Sequence, residues 1–208
     1  MGAYRASNTG MTESALDYAL GSVQTSDQLQ RVWCFAASVL RLPAGPHTLE
    51  HYRAKLAETP QLLVFAERED RICGCVLAST EGDHVLVGPV AVAEDSRRMG
   101  IGTAMMQELE KQAKGMGQHT LILGALEDAE AFYLSCGFQP NLFIQVPGLN
   151  AGDQLQSLNV KYEVMGSWEQ DGWSRLTLRT PTIDKGLQRE YERRFPDCAT
   201  QYVFMKHI

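Results

Sequence analysis

The stretch Arg97-Arg98-Met99-Gly100-Ile101-Gly102-Thr103 sets two guanidinium groups beside two glycines, and a run of good helix formers follows it to Lys114. A helix start leaves its first backbone N–H groups without intrahelical partners, and the helix dipole adds partial positive charge at the same end. Glycine carries no Cβ, so its backbone can come close to a bulky anion. These residue types in this order suit a pyrophosphate. The stretch is not a P-loop, because no Lys-Ser/Thr follows the second glycine, and it lacks the third glycine of a dinucleotide fingerprint. A bare Gly-x-Gly also occurs in plain strand-to-helix turns, so the preceding residues carry weight.

Those residues are "HVLVGPVAV", His84 to Val92. Proline donates no N–H and enters a sheet at an edge or a bulge, and Gly88 beside Pro89 suits a bulge. The run is either an ordinary edge strand or a strand forced away from its neighbour, with backbone groups free to pair with the amides of a ligand. An extended ligand with amides along it and a diphosphate at one end is the pantetheine-pyrophosphate of coenzyme A.

The elements around this segment alternate. Tyr18–Val23 reads as a short strand. Ser26 reads as the cap of a helix through Leu40 that ends before the loop "PAGP", and Thr48 as the cap of a second helix ending before Pro60. Gln61–Glu67 and Ile72–Ser79 form a hairpin about "REDR". After His84–Val92 comes a helix to Lys114, with Gly115 at its C-terminal cap and Ile101, Met105, Leu109, Ala113 and Met116 as its buried stripe. His119–Leu123 is a strand, Glu127–Ser135 a short helix, and Phe138–Val146 another strand. "PGLNAGDQ" is linker-like. Two further strands flank Asp171-Gly172, a hairpin turn signal that sets Trp168 opposite Arg175 as a cation–π pair. A helix over 185–194 and a strand over 201–206 finish the chain. This order predicts an α+β fold: a mixed, largely antiparallel central sheet with a splayed βαβ unit flanked by helices, and a C-terminal β-β-α-β extension. The expected division is residues 1–147 as the main domain and 148–208 as an α+β extension packed on or beside it.

The segment Val87–Pro140 resembles the GNAT superfamily of acyl-CoA N-acyltransferases. That family's Arg/Gln-x-x-Gly-x-Gly/Ala motif matches Arg97 to Gly102, "GPVAV" resembles its pantetheine-pairing strand, and "AEAFYLSCGF" resembles its A-x-x-F-Y-x-x-x-G-F segment. The three lie in the family's order, and the likeness covers about the first 145 residues. It implies acetyl-CoA as co-substrate and direct transfer to a small-molecule or peptide amine in a ternary complex. It implies that Val90, Ala91 and Val92 pair with pantetheine, and that Arg97, Arg98, Met99, Gly100, Ile101, Gly102 and Thr103 wrap the pyrophosphate. Tyr133 falls on the tyrosine that protonates the leaving thiolate, where a plain reading is an aromatic packed beside Phe132 and Phe138. A backbone N–H near Val92 would polarise the thioester carbonyl. The family's asparagine seven residues before that tyrosine is Leu126 here, so Glu127 or Asp128 substitutes or the contact is absent. Glu50, Glu67, Glu69 and His84 are the candidate bases, with a water chain as the alternative. A second class, an acyl-CoA-binding sensor or assembly module without catalysis, keeps the same cradle.

Composition narrows the partners. Hydrophobic residues make up 44% and charged residues 21%, ordinary for a soluble globular protein, with a net charge of -6. With no Lys/Arg stripe, nucleic acid is not an expected partner. No apolar run approaches the roughly 18 residues of a membrane span, and Met1–Gly10 has no signal-peptide core, so a cytoplasmic protein is expected. Five cysteines without a secretion signal imply free thiols, and Cys73-Gly74-Cys75 reads as two small hydrophobes on one strand face. "HTLEH", His47 to His51, matches a zinc-protease pattern, but Thr48 as cap leaves His47 outside the helix, so no metal is expected. Residues 148–208 either cap the sheet, wall the acceptor site or form a homodimer contact.

Overall fold

The computed structural model describes residues 18–41, 48–148 and 150–208. Its elements in chain order are β1 (Ala19–Ser22), α1 (Ser26–Leu40), α2 (Leu49–Glu58), β2 (Leu63–Arg68), β3 (Arg71–Glu81), β4 (His84–Val92), α3 (Ile101–Gly115) and β5 (Thr120–Gly124). Then follow α4 (Glu130–Ser135), β6 (Gln139–Pro147), α5 (Gly152–Ser157), β7 (Glu163–Gln170), β8 (Trp173–Arg179), α6 (Lys185–Arg194) and β9 (Ala199–His207). The strands form one sheet ordered β1-β2-β3-β4-β5-β9-β6-β8-β7. Each neighbouring pair is antiparallel except β4 and β5, the two ends of the βαβ unit around α3. The last strand inserts between β5 and β6, away from its sequence neighbours.

Local chemistry sets most boundaries. Thr25, rather than Ser26, caps α1: its backbone is extended and its side chain accepts from the Gln28 N–H. Thr48 caps α2 by accepting from His51. Gly115 lies inside α3, and the left-handed turn beyond it belongs to Gly117, at φ 76°. Asp171 and Gly172 take φ 53° and 78°, the mirror-image turn that matches the twist of a hairpin. The register pairs Trp168 with Arg175. The Trp168 ring rests 6.1 Å from Phe143, and Arg175 donates to Gln170, so the rings meet across the sheet and the guanidinium turns to the amide. Within the linker-like stretch, α5 forms and buries Leu155. The "PAGP" loop, His47 and Met1–Gly10 lie outside the described residues.

Two cores lie on opposite faces of the sheet. Leu29, Val32 and Ala36 of α1 and Tyr52 of α2 pack on Leu63, Cys75, Leu77 and Ala91. Helices α3 to α6 cover the other face through Met105, Leu109, Tyr133, Leu155 and Tyr191. Alternation along a strand makes the faces strict, and two bulges reset it. Opposite Ala66/Glu67, β3 carries Cys73 as an extra residue. Cys73 therefore points to the α3 core and Cys75 to the α1 core, not to one face as the spacing suggested. Opposite Leu77, β4 carries the second extra residue, at Gly88-Pro89: Val76 pairs with Val90, but Ala78 pairs with Val87. Hence Val85 and Val87 face the α3 core before the bulge and Val90 and Val92 face it after, while Ala91 joins the α1 core.

Gly74 sits where β3 passes under the first turns of α3. A Cβ there would lie 2.8 Å from Met105 Cε and 3.0 Å from Ile101 Cγ2. Replacing Gly74 by Val should cost about 1–3 kcal/mol of overpacking, read as a fall of several degrees in Tm in a thermal melt. An unchanged Tm would mean that α3 yields freely.

Candidate functional site

After the bulge, β4 leaves β5. The parallel pairing covers only Val85–Leu121 and Leu86–Ile122, and no pairing with β5 extends beyond them. On the other side β4 keeps β3: the Ala93 N–H donates to the Cys73 carbonyl at 2.8 Å. In an antiparallel ladder, alternate residues turn their backbone groups to the same neighbour. Ala91, opposite Cys75, and Ala93 thus turn to β3, while Val90 and Val92 present N–H and C=O to the gap. The Val92 carbonyl accepts from Arg97 Nε at 3.4 Å, which fixes the arginine across the mouth.

The gap is a cleft of about 1030 Å³. The glycine segment closes one end. Arg98 takes φ 64° and Gly100 φ 79°, so the chain turns twice through left-handed backbone before α3 begins. No side chain caps α3, and its first intrahelical bond here is Ala104 N–H to the Gly100 carbonyl, at 2.9 Å. Helix geometry therefore leaves the amides of Ile101, Gly102 and Thr103 without intrahelical acceptors, beside Arg97 and Arg98. The two glycines serve different needs. Gly100 has open space around it, and only its φ demands glycine. At Gly102 a Cβ would stand 3.2 Å from two atoms of the Phe132 ring, so this glycine lets α4 pack against α3. Val90, Ala91, Val92, Arg97, Arg98, Gly100, Ile101, Gly102 and Thr103 all line the cleft, whereas Met99 is not part of its lining and is 37% exposed.

Tyr133 stands in the wall, with ring centroids of Phe132, Phe138 and Phe204 at 5.1, 5.9 and 5.8 Å. Burial pushes its phenol up to about 12, and the neighbouring Cys136 adds to the rise. Leu126 is 74% exposed at the rim. Of its two acidic neighbours, Asp128 lines the cleft and Glu127 lies 3.5 Å from Lys185. None of the four candidate bases lines it: Glu50 pairs with Arg53, Glu67 with Arg31, Glu69 with Arg68 and His84 with Asp83. The sequence reading missed Val39, Leu40, Leu86 and Gln201, which also line the cleft. Gln201 arrives on β9, whose place beside β5 no local signal announces.

Lys185 ties this wall to the C-terminal segment. Its ammonium lies 2.8 Å from Glu130, a carboxylate on the first turn of α4 whose side chain is 9% exposed, and 5.4 Å from the Tyr202 ring. Among the described residues no three His, Cys, Asp or Glu side chains group as metal ligands, and no helix is long and apolar enough to cross a membrane. All five cysteines are free.

Two variants probe the geometry. Gly100→Val should cost about 1–2 kcal/mol, the penalty for a side chain in left-handed backbone, and should weaken binding of coenzyme A in calorimetry; unchanged affinity would remove the loop from the site. Lys185→Met leaves Glu130 short of its cation. A stability loss of about 2 kcal/mol is expected, below the 3–5 of fully buried pairs because Lys185 keeps some solvent; a Tm within a degree of the parent's would mean the pair contributes nothing.

The sequence model of the Acetyltransferase (GNAT) family matches residues 27–138. The chain is similar in fold to a candidate acetyltransferase from Pyrococcus horikoshii, at 12% identity and TM-score 0.54 over 99% of this chain and 93% of that one. It is also similar to the diaminobutyrate acetyltransferase EctA of Paenibacillus lautus, solved with L-2,4-diaminobutyric acid and coenzyme A, at 16% identity and TM-score 0.51 over 82% and 99%. Ard1 of Thermoplasma volcanium is similar at 15% identity and TM-score 0.51 over 81% and 99%. No curated protein matches it in sequence. The matched segment takes in the whole span from α1 through the glycine turn to Phe138, and the chain belongs to the GNAT family of acetyltransferases.

Proposed function

We propose that the protein transfers an acetyl group from acetyl-CoA to a primary amine, by direct attack within a ternary complex. The observation that carries this reading is the gap between β4 and β5, with backbone groups of Val90 and Val92 along one side and an uncapped helix start at its end. Acetyl-CoA supplies an activated acyl group and a thiolate leaving group. Val90 and Val92 would pair with the pantetheine amides, and the Val92 N–H would polarise the thioester oxygen. The amides of Ile101, Gly102 and Thr103, with Arg97 and Arg98, would hold the pyrophosphate. The amine nitrogen forms a bond to the acyl carbon as the carbon–sulfur bond breaks. None of the four candidate bases reaches the cleft, so the ammonium proton passes to water, with Asp128 the carboxylate among the described lining residues that can relay it.

Tyr133 meets the sulfur. A phenol at about 12 is a weaker acid than a thiol at about 8.5, so outright proton transfer in the ground state is uphill. The phenol acts by donating a hydrogen bond that strengthens as charge gathers on sulfur, and burial of that sulfur narrows the gap between the two acids. Because its value is raised, Tyr133 keeps its proton throughout the neutral and mildly alkaline range and loses it only as pH rises toward about 12.

Tyr133→Phe should lower kcat on the order of 100-fold or more, measured as thiol release, with the calorimetric Kd for coenzyme A within about twofold of the parent's. Between pH 7 and 10, kcat should show no falling limb in the parent (the range lies below about 12). A falling limb near pH 9 that vanishes in the Phe variant would overturn the neutral-phenol role. Tight coenzyme A binding with no turnover of any amine, in the parent too, would favour a sensing module.

A further inference from the structure

Helix α4, which carries Tyr133, is six residues long, and no side chain caps its start. A helix that short does not hold itself in water, so outside contacts fix its direction. Phe132 meets α3 at Gly102, and Tyr133 meets Phe138 and Phe204. Those ring contacts exclude water but are not directional. The directional contact is at Glu130, the first residue of the helix. Glu130 lies three residues before Tyr133 on the same helix face, and both are 7% exposed. Its Oε1 accepts from Lys185 Nζ at 2.8 Å. Lys185 is itself held in place. It opens α6 directly after the cap Asp184, whose carboxylate accepts from the Leu187 N–H at 2.9 Å and from the Tyr162 hydroxyl at 2.8 Å. Lys185 is not part of the cleft lining, and it lies beyond the family-matched segment, which ends at residue 138.

Resting on the acetyltransfer reading, we infer that Lys185 is a positioning residue for Tyr133: it holds the first turn of α4 so that the phenol stays in the cleft wall, against the leaving sulfur. A carboxylate as buried as Glu130 is costly without a cation. The other carboxylate near Lys185, Glu127 at 3.5 Å, is on a side chain 76% exposed, so water already serves it and the pair adds little. Without Lys185, Glu130 turns out to water. A six-residue helix resists that weakly, and its first turn moves with the carboxylate. Tyr133, one turn further on, then leaves the place from which its hydrogen bond reaches the sulfur. A shift of about 1 Å in a reacting group can cost on the order of 100-fold in rate. Binding of coenzyme A should not follow, because the cradle amides belong to α3 and β4, which Lys185 does not hold.

The test is a set of thiol-release assays with acetyl-CoA, run where circular dichroism shows every variant folded. The acceptor is the fastest of lysine, spermidine, phenethylamine and a short peptide with a free N-terminus. Lys185→Met should lower kcat about 10-fold or more, with the calorimetric Kd for coenzyme A within about threefold of the parent's. Lys185→Arg keeps the cation and should recover most of that loss. In the Tyr133→Phe background Lys185→Met should change kcat less than about twofold, because the phenol it positions is gone. Hydrogen exchange should quicken at the amides of α4 and not at those of α3. Lys185→Gln, which keeps a donor to Glu130 but no charge, stands in if the Met variant fails to fold, with the same pattern and a smaller loss. A lower Tm with unchanged kcat, or the same fold-loss of kcat in both backgrounds, would overturn the inference and leave Lys185 a support of the fold alone. Failure of the acetyltransfer reading shows in the parent instead, as no coenzyme A binding or no turnover of any of the four amines. The exchange result then decides alone, and unchanged exchange in α4 overturns the inference.

Discussion

One extra residue in β4 governs the rest of the molecule. Gly88-Pro89 faces the single residue Leu77, and two physical consequences follow. Proline cannot donate to a ladder, and the bulge bends and twists the strand, so β4 and β5 part after two paired positions. The insertion also exchanges the faces of every later side chain in the strand. Without it Ala91 would face α3, and Val90 and Val92 would face α1. With it the small residue lies under α1 and the two valines meet Ile101 and the α3 core. The gap in the sheet and the packing that keeps α3 at its mouth thus share one cause.

Holding α3 there makes the glycine turn necessary. The chain must leave Val92, cross the open end and start a helix within a few residues. Left-handed backbone at Arg98 and Gly100 achieves the reversal. Arginine in that conformation costs about 1 kcal/mol, and the Arg97 bond to the Val92 carbonyl and the anchoring of α3 by Ile101, Met105 and Leu109 oppose that strain. Uncapped amides at a helix start are ordinarily a defect. Here they face a cleft beside two cations, where an anion would satisfy them.

Much of this was legible because it is written in short-range chemistry. Pro89 beside Gly88 signals a bulge, Asp171-Gly172 signals a hairpin, and the stripe Ile101, Met105, Leu109, Ala113 signals the buried face of α3. Signals of one residue's precision were less dependable. Thr25 and Ser26 are both good caps, and only the backbone chooses between them. Cys73 and Cys75 look like one face until the bulge opposite Glu67 separates them. The half of the cleft facing α1 was not legible at all. Val39 and Leu40 read as plain helix residues, and Gln201 reads as a polar residue in a terminal strand. Their site role depends on which strands become neighbours, a non-local property that periodicity does not encode.

The insertion of β9 bears on Tyr133 as well as on Gln201. A phenol keeps its proton more firmly the less water reaches its oxygen. Phe132 and Phe138 come from the tyrosine's own stretch of chain, but the third ring around it is Phe204 of β9. Tyr202, two residues earlier on the same face, accepts from the Asp184 N–H at 2.6 Å, and Asp184 caps α6. Next to that cap Lys185 reaches Glu130, one turn of α4 before Tyr133. One strand from the end of the chain therefore supplies an aromatic wall to the phenol on one face of the sheet and a carboxamide floor on the other. The adjoining helix start fixes the turn of helix from which the phenol projects. Residues that look like an appendage in sequence thus reach both Tyr133 and the cleft lining, and a change in β9 would disturb the Tyr133 ring cluster and the Gln201 lining together.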